Sequence, residues 1–410
     1  MSTLRKIVIT ILNLSKGRIG NIAYYFAFAS VFLFRFYYTS MFTVLSEKPL
    51  FLVPPYYLGF IILISLAGLA IVDSFVNSWK EALLLSGILL AGVINAIIIG
   101  RVDSVFLFCC LIIASRRRDV RPVFLITVVI GSIFLLSAYY ASMNGYIPYL
   151  VYPDRGNTGM LSHAFGMIYR TILAEHVLYI VMCYAIVRGE KLHLWEYMML
   201  WFDNWLVWRY TWARTSCICM GLFLIILGVV IILYRFRGEW FSVPKWTALI
   251  HVLCAAVSIV AVVWWSMYSG SISIESDIDS LKSRLSLSLQ GFREYPMTLF
   301  GQIVRERGAG GIVDTSEPYF MLDILYVRLL IMDGIVLFLI YICLMTIASL
   351  KAVKRRQLII AAALIIVAID SMVQHVAGQI AYNVLILYSL GFLGSREKNL
   401  SLTQEAIRRE

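Results

Sequence analysis

Charged side chains lie within or at the ends of several strongly apolar segments of this 410-residue sequence. They include Arg170, Arg209 and Arg214, with Glu175 and Asp323 as acids. A charge is costly in hydrocarbon, so such residues line water-filled cavities or pair with one another. Guanidinium groups bind phosphate and pyrophosphate oxygens in a bidentate manner and keep their charge at physiological pH. As a set, these residues favour an anion-binding cavity; for each one alone, a buried ion pair is the alternative.

Candidate acid–base groups lie near these arginines. Glu175 and His176 adjoin one another at the start of an apolar segment, and helical spacing predicts that Tyr319, Asp323 and Tyr326 share one face. Each of Glu175, His176 and Asp323 is able to take a proton from a hydroxyl group. The sequence therefore predicts an inward-facing polar stripe.

Aromatic side chains accompany the arginines near the middle of the chain. Helical spacing predicts that Tyr210 and Arg214 lie on one face. Flat apolar rings beside guanidinium groups suit sugar binding, and an interfacial aromatic belt is the alternative. The rings concerned are Trp201, Trp205, Trp208, Tyr210 and Trp212.

Several classes of function are excluded by what the sequence lacks. It contains no P-loop, no Gly-rich dinucleotide motif opening a helix, no H-E-x-x-H and no G-x-S-x-G. The five histidines do not pair at metal-ligand spacing, and the seven cysteines lie in or at the ends of apolar segments as small core residues. We therefore expect no metal and no cofactor.

The elements that carry these residues are predicted to be membrane-spanning helices. The chain is 61% hydrophobic and only 14% charged, with a mean hydropathy of +0.83. Its apolar segments are apolar on every side, which excludes an alternating β-barrel pattern. We predict one all-α polytopic domain, residues 1–410, with about twelve spans, the fourth marginal or re-entrant. These lie near 19–45, 56–75, 81–100, 102–115, 122–142, 166–187, 194–212, 215–234, 246–267, 319–349, 357–375 and 378–393.

The basic residues predict the orientation of these spans. They cluster at alternate span ends, which the positive-inside rule assigns to the cytoplasm together with both termini. The same clusters account for the net charge of +11, so no nucleic-acid partner is expected. Two longer segments, 143–165 and 268–318, then lie outside. The larger one contains an amphipathic stretch, 281–292, that favours a helix at the membrane surface or a packing cover over the bundle.

Three stretches of the sequence resemble the Wzy-type oligosaccharide repeat-unit polymerases of bacterial capsule, O-antigen and exopolysaccharide pathways. The first runs from 165 to 189 and the third from 283 to 334. The second, 210–216, resembles the family's T-x-S-R-T run, with Ala213 where serine is usual. The family's His-Pro-Asn run after Gly-Phe is replaced here by Met167, Ile168 and Tyr169.

The resemblance implies a glycosyltransferase of the bacterial cytoplasmic membrane that needs no metal or nucleotide. It would move a growing glycan from undecaprenyl pyrophosphate to a hydroxyl of the next lipid-linked repeat unit, on the outer face. A chain-length regulator and a flippase are its further implied partners, besides the bilayer. Catalytic roles fall to Glu175, His176 and Asp323. Substrate-binding roles fall to Arg170, Arg209, Tyr210, Arg214, Arg284, Gln302, Tyr319 and Tyr326.

Three other functions fit parts of the pattern. A lipid-linked oligosaccharide flippase would have similar spans and inward arginines, but it needs no fifty-residue outer loop, and its charges should occupy both halves of the membrane. A related glycan ligase would share the architecture of the polymerases. A polysaccharide O-acyltransferase would require a clearer His-centred constellation. Because the intramembrane charges concentrate in the outer half, the sequence favours an enzyme.

Overall fold

Helices dominate the computed structural model, which describes residues 18–47, 79–100, 105–153, 161–237, 243–268, 281–308, 310–311 and 319–394. One short antiparallel hairpin, β1 Val151–Pro153 and β2 Leu161–His163, pairs Tyr152 with Ser162. The helices are α1 Arg18–Tyr37, α2 Trp79–Ile99, α3 Val105–Ala114, α4 Arg121–Met143, α5 Arg170–Arg188, α6 Leu194–Thr211, α7 Arg214–Arg237, α8 Ile250–Tyr268, α9 Leu281–Glu294, α10 Leu325–Arg328, α11 Ile335–Lys354 and α12 Leu358–Asp370.

Six of the described helices are long and apolar enough to cross a membrane. They are α2, α4, α5, α7, α8 with the 3₁₀ turn that precedes it, and α11. The shorter apolar helices α3 and α12 fall where further spans are predicted. The predicted class, a mainly helical membrane protein, is confirmed, whereas twelve spans remain a prediction. The predicted span 56–75 and part of the loop 268–318 lie outside the described residues.

The predicted tenth span, 319–349, is not one helix. The segment 319–324 is not helical, and α10 continues into a π turn at Leu329–Asp333. Gly334, with φ 91°, then interrupts the helix before α11 begins. A loop from the outer segment supplies the reason, because carbonyls of Thr298 and Leu299 accept the N–H groups of Ile335 and Val336, each at 3.0 Å. These N–H groups have no partner within the helix, so the loop caps α11.

The predicted twelfth span, 378–393, is not an α-helix either. It consists of two 3₁₀ turns, Val376–Gly378 and Val384–Ser389, joined by irregular backbone that is almost entirely buried. Non-helical backbone is tolerated at membrane depth only where protein covers it. Polar side chains of neighbouring helices satisfy its carbonyls: Ser115 Oγ donates to Leu387 O at 3.0 Å and Lys351 Nζ to Tyr388 O at 3.1 Å.

The two ends of the bundle are built from different segments of the chain. At the end that we call the basic end, residues 116–121, 188–196 and 351–356 come together. Contacts there include Arg121 Nη2 with Val187 O at 3.2 Å and the ion pair of Arg188 Nε with Glu196 Oε1 at 2.7 Å. The opposite end, the loop end, carries the β-hairpin, α9 and the segment 319–334. This separation matches the alternating basic clusters of the sequence.

Helix α9 covers the loop end. It buries Leu285 and Leu287 in a small hydrophobic cluster with Val262, Leu322 and Ile331. Trp265 on α8 donates its indole N–H to Ser286 Oγ at 3.0 Å. The helix therefore packs on the bundle, and its buried face also directs Arg284 inward, where its side chain is 4% exposed.

Candidate active site at the loop end

Arg284 is the centre of a buried group of ionisable side chains. Its Nε lies 3.8 Å from Oδ2 of Asp323, and its Nη1 donates to the backbone carbonyl of Val373. Burial of an arginine is stable only when its charge is matched by anions and hydrogen bonds. The two contacts join α9 to the segment before α10 and to the turn after α12.

Asp323 also contacts His375, whose Nδ1 lies 3.5 Å from Asp323 Oδ1. Both side chains are buried, and Asp323 lies outside the six long apolar helices. Burial raises the pKa of the Asp323 carboxyl, but the adjacent His375 ring and the positive charge of Arg284 outweigh it, so the pKa is lowered overall. Asp323 is therefore an anion that holds His375 on one side and Arg284 on the other.

A second pair of acids lies beside Arg284. Glu175 on α5 accepts a hydrogen bond from Ser216 Oγ on α7. The carboxyl of Asp370, at the end of α12, neighbours that of Glu175, and Arg284 interacts electrostatically with both. Both acids are fully buried. We call Glu175, Ser216, Arg284, Asp323, Asp370 and His375 the polar cluster.

Four helices, the loop before α10 and the turn after α12 build the polar cluster. Glu175 lies five residues into α5, about 7 Å along its axis, and Ser216 lies in the first turn of α7. Asp370 ends α12, and His375 follows it in a turn in which Gln374 N–H donates to Asp370 O at 2.8 Å. The cluster therefore exists only when these elements pack together.

The arrangement offers two chemical capacities. A buried guanidinium near one end of a helical bundle stabilises an anion strongly, because little water competes with the guanidinium for that anion. A histidine held by a carboxylate is the common form of a general base, with the carboxylate fixing the ring and stabilising its cation. Among the described residues, no three His, Cys, Asp or Glu side chains are grouped to hold a metal ion.

His176 does not face the polar cluster. Its ring is stacked between Phe36 and Tyr382, with centroid distances of 3.8 and 4.1 Å, and its Nε2 lies 2.8 Å from Thr39 Oγ1. His176 follows Glu175 directly, so the helical turn of about 100° per residue sends the two side chains in different directions. The structure thus separates two residues that the sequence grouped together.

The predicted polar face of Tyr319, Asp323 and Tyr326 is wrong, because the chain is not helical before Leu325. Tyr326 is fully buried and donates to Ala368 O at 3.2 Å. Tyr319 is half-buried beside the hydrophobic cluster under α9. Asp323 reaches the polar cluster through its position in the loop.

The remaining predicted arginines lie elsewhere at the loop end. Arg170 is buried, and its Nη1 donates to Ser162 Oγ of β2 at 2.8 Å. Arg209 lies over the ring of Tyr210 at 5.8 Å. The predicted shared face of Tyr210 and Arg214 is also wrong.

The reason is that one helix ends and another begins between Tyr210 and Arg214. Trp212 adopts φ 53°, which ends α6 and lets α7 begin in a new direction at Arg214. The side chain of Arg214 is exposed. Helical spacing therefore does not predict which residues of α6 and α7 share a face.

Gln302 lies in the loop that caps α11. Its Nε2 donates to Pro296 O at 2.6 Å and to Ile331 O at 3.0 Å. The next contact of this loop is Gln302 N–H with Met332 O at 3.0 Å. In the structure this residue fastens the loop to the π turn before α11.

Three members of the polar cluster were not selected from sequence: Ser216, Asp370 and His375. The available signal was the position of Asp370 and His375 at the end of an apolar segment, since charges there are costly unless partnered. Their partners are about 50 to 200 residues distant in the chain, so no spacing rule finds them.

Comparison of the chain with protein-family models, with curated proteins and with solved structures found no match.

Proposed function

We propose that the protein is a membrane glycosyltransferase that polymerises lipid-linked oligosaccharide repeat units, with the polar cluster as its catalytic centre. The observation that carries the proposal is the buried group formed by Arg284, Asp323 and His375 at the loop end of the bundle. It combines an anion-stabilising cation with a held histidine base. These are the two groups needed to move a glycan from a pyrophosphate to a hydroxyl without metal.

The proposed reaction has a simple balance. A sugar hydroxyl oxygen of the acceptor attacks the anomeric carbon of the glycan carried on undecaprenyl pyrophosphate, and the bond from that carbon to the pyrophosphate oxygen breaks. His375 takes the hydroxyl proton, and Asp323 stabilises the resulting imidazolium. Arg284 stabilises charge on the departing pyrophosphate. Direct attack inverts the anomeric configuration.

An apolar groove beside the polar cluster suits the lipid part of such a substrate. It has a volume of about 500 Å³ and lies between α4, α5 and α6, with mostly aliphatic walls. Two of its residues, Val177 and Val207, pack against Ala174 and Cys217, which are sequence neighbours of Glu175 and Ser216.

The test is the glycan profile of a deletion strain. Polymer replaced by single repeat units on the surface supports a polymerase, whereas a full-length polymer contradicts it. Complementation with His375→Gln should restore little polymer, since glutamine keeps a similar size without accepting the proton. Arg188→Ala breaks an ion pair at the basic end and serves as the matched control, with normal polymer expected. Membrane blots establish that both variants accumulate.

A transporter of lipid-linked oligosaccharides is the second candidate, and one observation favours it. Glu175 and Asp370 are neighbouring carboxyls buried between helices, an arrangement typical of proton-coupled transport. In that case the deletion strain should lose all surface glycan and keep lipid-linked units inside. Glu175→Gln should then block translocation, and the single surface repeat unit expected for a polymerase defect should be absent.

A further inference from the structure

Four rings at the loop end, with Tyr139 of α4 beside Phe165 at 5.4 Å, form a contiguous group that the polar cluster does not use. They are Tyr149, His163, Phe165 and Tyr210, and we call them the aromatic platform. His163 stacks on Tyr149 and on Phe165 with centroid distances of 5.7 and 5.5 Å, and Phe165 meets Tyr210 edge to face at 5.8 Å. Tyr149 and Tyr210 remain 37% and 42% exposed.

The backbone under the platform is strained. Phe165 has φ 46°, in the left-handed region that a bulky side chain rarely adopts, and Gly166 follows at φ 81°. A Cβ on Gly166 would lie 2.4 Å from Ala138 O, so the turn packs tightly on α4. Strain of this kind persists only where the surrounding structure imposes it, and it clusters at functional sites. Here the strained residue presents a ring to the platform.

Polar groups surround the apolar ring faces. The Tyr149 hydroxyl and His163 Nδ1 are joined by a hydrogen bond of 2.7 Å, and the Arg209 guanidinium lies 5.8 Å from the centre of the Tyr210 ring. Aromatic side chains of a membrane belt are spread along the bilayer rim. Contacting rings with hydroxyl, imidazole and guanidinium groups at their edges match a sugar, which has apolar C–H faces and a rim of hydroxyls.

The platform is built on the same elements as the polar cluster. Ser162, next to His163 on β2, accepts the hydrogen bond of Arg170, which begins α5, and Glu175 lies five residues further along that helix. Tyr210 is the second-last residue of α6, and Ser216 lies six residues later, just inside α7. The hairpin and the corner between α6 and α7 therefore connect the two sites directly.

We propose that the aromatic platform is a carbohydrate-binding subsite, which stacks a sugar ring of the glycan substrate on Tyr149, Phe165 and Tyr210. That this glycan is a repeat unit rests on the proposed function; that the site takes a carbohydrate rests on the rings and their polar rim. The apolar face of the sugar packs on the rings, and its hydroxyls meet His163 and Arg209. A subsite here holds the glycan while its reacting end lies at the polar cluster.

The experiment measures carbohydrate binding without requiring turnover. The probe is the oligosaccharide released from the host's own surface glycan by mild acid, titrated onto detergent-purified protein and followed by saturation-transfer NMR. Tyr149→Ala and Tyr210→Ala should each weaken binding about three- to tenfold, because each removes one ring face. Tyr149→Phe keeps the ring and should bind nearly as well as the wild type. The matched controls are Tyr140→Ala and Tyr146→Ala, which remove more exposed tyrosines from the same end.

The outcomes separate this subsite from the proposed function. Equal binding by platform and control variants, or no binding by the wild-type protein, overturns the subsite. Thermal unfolding of each variant shows whether it folds, and Tyr149→Phe distinguishes loss of the ring from loss of structure. If the deletion strain makes full-length polymer while the platform variants still lose binding, the polymerase proposal fails and the carbohydrate site stands.

Discussion

Arg214 is the arginine whose removal separates stability from function most cleanly. It is the first residue of α7, where the unpaired N–H groups give the helix a partial positive charge. Its side chain is exposed and makes no ion pair or hydrogen bond with any residue in the described part of the chain. A cation at this position is unfavourable by about 0.3–1 kcal/mol. Fold stability therefore gives no reason for an arginine here.

We expect Arg214→Ala to unfold at the same or a slightly higher temperature and to lose about 10²- to 10³-fold in polymerisation rate, the cost of one charge-assisted contact in the transition state. Arg214→Lys should fail nearly as badly, because lysine keeps the charge but loses the planar fork that binds pyrophosphate oxygens in pairs. The assay is polymer length on gels from a complemented deletion strain, with membrane blots and thermal unfolding of the purified variants.

Lys245 provides the matched control. It is an exposed cation at the start of the turn that leads into α8, at the basic end. Lys245→Ala should leave polymer length unchanged. Near-normal polymer from Arg214→Ala or Arg214→Lys would refute a role in pyrophosphate binding, as would loss of the protein itself in both Arg214 variants.

Lys351→Met should lower the unfolding free energy by about 1.5–3 kcal/mol, because the Lys351 ammonium donates hydrogen bonds to carbonyls of the irregular segment after α12. Lys354 is exposed, so Lys354→Met should change the unfolding free energy little. Equal thermal unfolding of the two variants would contradict this. Asp323 stabilises the fold above its ordinary carboxyl pKa of 3.8, and this contribution is lost as the pH falls through its lowered pKa. Asp323→Asn should therefore show a flatter stability profile than wild type on acidification; parallel profiles would argue against the ion pairs. Ile303→Cys should label with an impermeant maleimide in intact cells or spheroplasts and Lys354→Cys only after lysis; the reverse would overturn the orientation.

The helices that coincide with predicted spans form where the sequence is continuously apolar. An α-helix satisfies its own backbone, so local composition suffices to predict it in lipid. The same reasoning failed at 319–349 and 378–393, where other parts of the protein satisfy the backbone. The loop carbonyls of Thr298 and Leu299 cap α11, and Ser115 and Lys351 bond the segment after α12. Sequence periodicity contains no information about such distant partners.

The sequence likewise predicted some residues of the candidate site correctly and misplaced others. The cost of burying charge marked Glu175 and Asp323 from sequence alone, and the family resemblance added Arg284; all three meet at the polar cluster. Adjacency in sequence grouped His176 with Glu175, but neighbouring residues on a helix point apart. Helical spacing misplaced the pair Tyr210 and Arg214, because the left-handed Trp212 ends the helix between them.

By itself, the sequence determined that the chain is a helical membrane protein with basic clusters at alternate ends of its apolar segments, since hydropathy and charge act locally. Only the tertiary structure decided which charges meet. Asp370 and His375 join Arg284 and Glu175 because α12 packs on α5 and α7 and the turn after it bonds Arg284 of α9. Phe165 joins its neighbouring rings because Gly166 allows a tight approach to α4. Contacts between elements depend on packing in three dimensions, which a one-dimensional pattern does not specify.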